Sequence, residues 1–175
     1  MSNTKKYIIT SLTLCALSAV AALAIAGTNM LTKSKIENNT KQAMEKSLKE
    51  VFPNALSFSE KKDDFKFESK YLVNYYIAYE DENKANEVGY VYYVDGRNSY
   101  GEIALMVGVN QTGVEQISVV INTESYASTL EDNYINPFIS GSGSLDDVSC
   151  GATYGATLIK NMTDASLQDY QLQKE

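Results

Sequence analysis

The spacing of apolar positions divides the chain into segments of different period. Tyr7 to Gly27 is a 21-residue run without a charge, preceded by Lys5 and Lys6 and followed by Lys33 and Lys35. Through SKIENNTKQAMEKSLKEVFP, Ile36, Thr40, Ala43, Met44, Leu48 and Val51 recur at helical spacing until Pro53 stops the pattern, which predicts an amphipathic helix. The charged stretch SEKKDDFKFESK reads as a solvated loop or edge strand. Four Tyr/Val/Ile-rich runs follow, YLVNYYIAY, VGYVYYV, GEIALMVGV and VEQISVVI, separated by EDENKANE, DGRNSY and NQTG. Runs of that composition with hairpin-length connections predict an antiparallel sheet. NTESYASTLEDNYINPFISGSGSLDD then carries the turn formers of a long, partly helical connection. A last helix is expected through Ala156, Ile159 and Met162.

The first segment is just long enough to cross a bilayer, at about 1.5 Å of rise per residue against a hydrocarbon core of about 30 Å. Its Ser and Thr hydroxyls can bond back to their own helix, so they do not forbid insertion. A short cytoplasmic stub and an exported body is the better orientation, because almost nothing precedes Lys5 and a whole domain follows Gly27. The alternative is a cleaved signal peptide, since Ala24-Ile25-Ala26 before Gly27 has the small-x-small pattern of a cleavage site. A retained anchor is favoured by the length of the apolar run. Cys15 follows Leu14, where a lipoprotein site has a small residue, so lipidation is not expected. The expected organisation is a stub over 1–6, an anchor over 7–27, a membrane-proximal helix over 28–52 and a domain over 53–175.

Charge divides the chain in the same way. Residues 1–33 hold three lysines and no acid, leaving 12 basic and 22 acidic side chains, a net of −10, in the remaining 142 residues. An acidic body argues against binding nucleic acid or anionic lipid. Cys15 and Cys150 lie in different segments and cannot pair within one chain, and with no histidine there is no Cys/His metal cluster. The 13 tyrosines are expected to pack the sheet, Tyr100 among them, rather than to carry electrons.

The candidate chemistry lies in DDVSCGATYGAT, residues 146 to 157, at the expected junction of loop and last helix. A helix start offers unpaired N–H groups and a partial positive charge, a ready site for a phosphate. Gly151 lets the backbone come close, Ala152 adds little bulk, and the Thr153 hydroxyl is able to carry a phosphoryl group as an ester. From the residues alone, helix capping is the favoured explanation of such a threonine.

Asp147-Val148-Ser149-Cys150-Gly151-Ala152-Thr153 resembles the covalent flavin attachment motif Asp-x-x-(Ser/Thr)-Gly-Ala-Thr of the FMN-binding domains in the Rnf complex G subunit and the Na⁺-translocating NADH:quinone reductase C subunit. The resemblance extends to the N-terminal anchor, to SYGEIALMVGVNQTG, and to NTESYASTLEDNYINPFISG, which is similar to the family's Glu-Thr-Pro-Gly-Leu-Gly flavin loop with Glu124 and Ser125 in the Glu-Thr places. Three positions depart from it. Cys150 replaces Ser or Thr, Gly155 replaces a frequent Thr or Ser, and Tyr126-Ala127 stand where Pro-Gly is usual. The second GAT, ending at Thr157, lacks the aspartate and reads as helix.

The resemblance implies a single α+β extracytoplasmic domain, a mainly antiparallel sheet with flanking helices, behind one N-terminal transmembrane helix. It implies FMN joined to Thr153 by a phosphoester and placed by a flavin transferase that uses FAD. Gly151, Ala152, Cys150, Tyr154, Gly155, Glu124 and Ser125 are then expected to contact the cofactor and Asp147 to guide the transferase, with no residue acting as acid or base and no metal; Tyr100 is the alternative ring neighbour beside Tyr154, with core packing favoured for it. The implied role is to relay electrons as a subunit of an Rnf-type (ferredoxin:NAD⁺) or Nqr-type ion-translocating oxidoreductase, beside membrane partner subunits. A self-standing cell-surface FMN carrier or reductase, and a binding module of the same fold without cofactor, are the alternatives.

Overall fold

The computed structural model describes residues 5, 7, 9, 11–22, 44–63 and 66–174. It divides into two units, Met1–Met44 and Glu45–Glu175. In the first, residues 11–22 are helical, with Leu12, Leu14, Leu17 and Val20 exposed. The Ser18 hydroxyl donates to the Leu14 carbonyl at 2.9 Å and the Thr13 hydroxyl to that of Ile9, so these hydroxyls are satisfied within their own helix. The expected crossing helix over 7–27 is described only in part, and positions 23–27 lie outside the described residues, as do 28–43 of the membrane-proximal helix. Among the described residues no helix is long and apolar enough to cross a membrane.

The second unit is built on five strands in chain order, each antiparallel to the next: β1 (Ser57–Phe58), β2 (Leu72–Tyr79), β3 (Glu87–Asn98), β4 (Gly101–Asn110) and β5 (Gly113–Asn122). The four Tyr/Val/Ile-rich runs fall on β2 to β5. The charged stretch lies along the β2 edge, where Lys62 bridges to Tyr75. Register shifts in the β2–β3 and β4–β5 pairings strengthen the local twist.

Helices cover both faces of the sheet. On one side α1, residues 44–51, buries Leu48 and Val51, with Phe52 following. Glycines make room for it: a Cβ on Gly108 would overlap Val51 Cγ1, and one on Gly89 would stand 2.6 Å from Phe52 Cζ. On the other side Tyr90, Tyr92 and Val94 of β3 and Ile103, Leu105, Val107 and Val109 of β4 share a core with Leu158, Ile159 and Met162 of α4 (Thr153–Lys174). That helix crosses β3 at Gly96, where a Cβ would come within 2.8 Å of Leu158.

Tyrosines do pack the sheet at its far end. Tyr75 stacks on Tyr90 at 5.2 Å, and Tyr90 meets Tyr170 of α4 edge-on at 5.1 Å. The connection from β5 to α4 is partly helical as expected: α2 (Ala127–Leu130), a π-helical turn (Glu131–Ile135) and α3 (Asn136–Ile139). Pro137 stands in the first turn of α3, directly after the π-helical turn.

Candidate functional site

The start of α4 is shaped by a glycine. Gly151 adopts φ +87°, a left-handed conformation that lets the chain turn sharply into the helix. Ala152 is buried, and its carbonyl accepts the first helical bond from the Ala156 N–H at 3.0 Å. Thr153 is therefore the first helical residue and is exposed. The N–H groups of Thr153, Tyr154 and Gly155 precede the intrahelical ladder and give this end its partial positive charge.

Two distant segments close around that end. At the β3–β4 hairpin the Asn98 side-chain carbonyl accepts the N–H groups of Tyr100 at 2.7 Å and Gly101 at 3.2 Å, while its amide donates to Glu124 Oε1. The hairpin presses on the segment after β5, because a Cβ on Gly101 would lie within 2.7 Å of the Glu124 backbone. Ser125 ties the other side, its N–H donating to the Tyr100 carbonyl at 3.0 Å and its hydroxyl to the same oxygen at 3.3 Å. Glu124 is thus 6 % exposed, with its carboxylate against Gly155 in the first turn of α4.

Between these segments lies a cavity of about 250 Å³, lined by Tyr100, Glu124 and Tyr126 on one side and by residues 151–155 on the other. Tyr100 stands at its rim, 39 % exposed, with ring centroids 5.5 Å from Tyr126 and 5.4 Å from Tyr154. Its expected place in the sheet core is therefore corrected: the residue precedes β4 on the turn, where Asn98 and Ser125 hold its backbone at the cavity. Tyr126 and Tyr154 are more exposed still. The result is a concave site with an aromatic rim, a single carboxylate and a helix start, a set that accommodates a planar ring and an attached phosphate.

The loop before the helix is held from two directions. In the π-helical turn, Asn133 donates through its side-chain amide to the Cys150 carbonyl at 3.0 Å, and the buried Tyr134 hydroxyl donates to the Leu145 carbonyl at 2.6 Å. Burial, then the neighbouring Cys150, pushes the Tyr134 phenol well above its ordinary range. From α4, Lys160 pairs with Asp146 at 2.8 Å, which holds the Asp146 carboxyl below its usual value. Asp147 is exposed and its Oδ1 accepts the Ser149 N–H at 3.1 Å.

Among the residues singled out from the sequence, Glu124, Gly151, Ala152, Thr153, Tyr154 and Gly155 meet at the cavity. Ser125 stands beside it on the Tyr100 carbonyl. Cys150 is buried in the sheet–helix core, and its main-chain carbonyl carries the link to Asn133. Thr157 lies on α4. Sequence reading missed Asn98, Tyr126, Asn133 and Tyr134. Tyr126 was visible only as a departure from Pro-Gly, and Asn98 only as a turn former.

Residues 1–51 match the family model of the RnfG N-terminal region. The matched segment is 51 of the 175 residues, and over that stretch the chain is similar to the N-terminal region of RnfG-like proteins. It ends before β1, so the cavity lies wholly outside the RnfG-matched segment. No curated protein matches the chain.

Proposed function

We propose that the chain is the membrane-anchored, extracytoplasmic flavoprotein subunit of an Rnf-type complex and carries FMN as a phosphoester on Thr153. The observation that supports it most is the position of that residue: exposed, first in α4, and on the wall of a cavity that Glu124 and three tyrosines also line. The positive end of α4 balances the charge of a phosphodiester held there. Gly151 lets the chain turn into the helix beside the cavity at a left-handed φ that side chains rarely adopt. Tyr100, Tyr126 and Tyr154 offer faces and edges to a planar ring.

FMN supplies the redox chemistry when bound, and the protein supplies attachment, orientation and tuning. Attachment from FAD requires the Thr153 oxygen to displace AMP from the flavin-side phosphorus, the hydroxyl proton leaving as AMP departs. Asp147, exposed on the approach to Thr153, is the residue a flavin transferase would meet. Membrane subunits of the complex are the implied electron partners, and residues 7–27 the bilayer anchor.

The test is intact mass of the full chain co-expressed with a flavin transferase. A gain of one FMN less one water is expected, lost in Thr153→Ala and kept in Thr157→Ala. A label that survives Thr153→Ala refutes the assignment. Location is tested by a reporter fused after Glu175, which should be active only outside the cytoplasm.

A further inference from the structure

We propose that Glu124 sets the electron affinity of the cofactor, its carboxylate holding the flavin midpoint potential low; the inference rests on attachment at Thr153. Among the described residues Glu124 is the one carboxylate lining the cavity and no lysine or arginine lines it, and the residue is 6 % exposed. It is fixed from two sides. Asn98 donates to Oε1, and the other oxygen lies where only a glycine at position 155 leaves space. The carboxylate therefore cannot swing away without breaking the Asn98 bond or entering Leu130, whose Cδ2 fills the same corner.

A ring tethered through Thr153 and a ribityl chain has this cavity and its tyrosine rim within reach. Reduction places negative charge on that ring. A like charge fixed and buried beside the cavity opposes it more strongly than a solvated carboxylate would. The partial positive charge of the α4 N-terminus would be shared between a tethered phosphate and Glu124, and among the described residues no cationic side chain lines the cavity to offset the carboxylate. Reduced flavin is then disfavoured relative to oxidised, and the midpoint falls.

The experiment is a spectroelectrochemical titration of the flavin in the purified full chain, in wild type, Glu124→Gln and Glu124→Asp, after intact mass has established loading. Glutamine keeps the shape and the acceptor for Asn98 but removes the charge. It is expected to stabilise the reduced form at least tenfold, a rise of about 30 mV for a two-electron couple. Aspartate keeps the charge and is expected to stay near wild type. A midpoint that moves less than twofold in Glu124→Gln, or one that moves as far in Glu124→Asp, overturns the inference. So does an Asp variant that loads beside a Gln variant that does not, because Glu124 then serves attachment. Absence of flavin from the wild-type chain defeats the attachment reading instead, so the two failures are distinguishable.

Discussion

Gly155 and Glu124 meet where the first turn of α4 passes the segment after β5. A Cβ built on Gly155 would overlap the Glu124 carboxylate and stand 2.7 Å from Leu130 Cδ2. The glycine at a position that often holds Thr or Ser in the resembled family is thereby explained: here the space a side chain would take is occupied by a buried carboxylate.

Gly155→Ala should accordingly destabilise the domain, although alanine is the better helix former. The helical gain is about 1 kcal/mol, and overpacking against a fixed carboxylate and a buried leucine costs about 1–3 kcal/mol. A net loss of roughly 1 kcal/mol would lower the Tm by about 3 °C. Thermal unfolding checks it, and an unchanged or raised Tm would mean that Glu124 gives way freely.

The π-helical turn and the attachment loop are joined by two hydrogen bonds from consecutive residues, Asn133 and Tyr134. Tyr134→Phe removes only the donor to the Leu145 carbonyl, and a lost bond of this kind costs about 1 kcal/mol. Asn133→Ala, at a more exposed site, should cost less in stability. Both should slow flavin loading, because the loop that presents Thr153 loses a fixed point on each side of Asp147. Loading rates with purified transferase, set beside unfolding curves, separate the two effects.

Alkaline stability should be governed by the tyrosines on the sheet. Tyr75, Tyr90, Tyr92 and Tyr170 all have phenols raised above their ordinary value, with burial opposing the charged form, and Tyr92 is raised furthest, with the Asp169 charge adding to burial. The folded pKa is above the unfolded one, so stability is fully present below about pH 10 and is lost as pH rises, by about 1.4 kcal/mol per pH unit for each such group. The buried Tyr92 hydroxyl makes no hydrogen bond of normal geometry among the described residues, although the Asp169 carboxylate lies close enough to act on it. Tyr92→Phe should therefore be close to neutral at pH 7 and should flatten the alkaline loss measured by denaturant titration between pH 9 and 11, two values chosen to bracket about pH 10.

Much of the second unit is written in local pattern. The Tyr/Val/Ile-rich runs between short polar breaks become β2 to β5 because a pleated strand selects such side chains and hairpin-length breaks leave only antiparallel pairing. Gly151-Ala152-Thr153 becomes a helix start because a left-handed glycine before a helical run is a local event. The neighbours of that start are not local. Asn98 and Glu124 lie 26 residues apart, and periodicity marks which face of an element is apolar without saying which distant turn will rest against its end. Tyr100 looks like strand filler until the hairpin is seen to press on residues 123–125, which turns its ring outward to the rim. Tyr126, Asn133 and Tyr134 sit in a polar connection with no period to read, and their roles arise from the path of the π-helical turn past the attachment loop. Glu124 carries the clearest case: a carboxylate in a loop is ordinarily solvated, and it is buried here only because β3, β5 and α4 converge on it, with Asn98 supplying a donor and Gly155 the space.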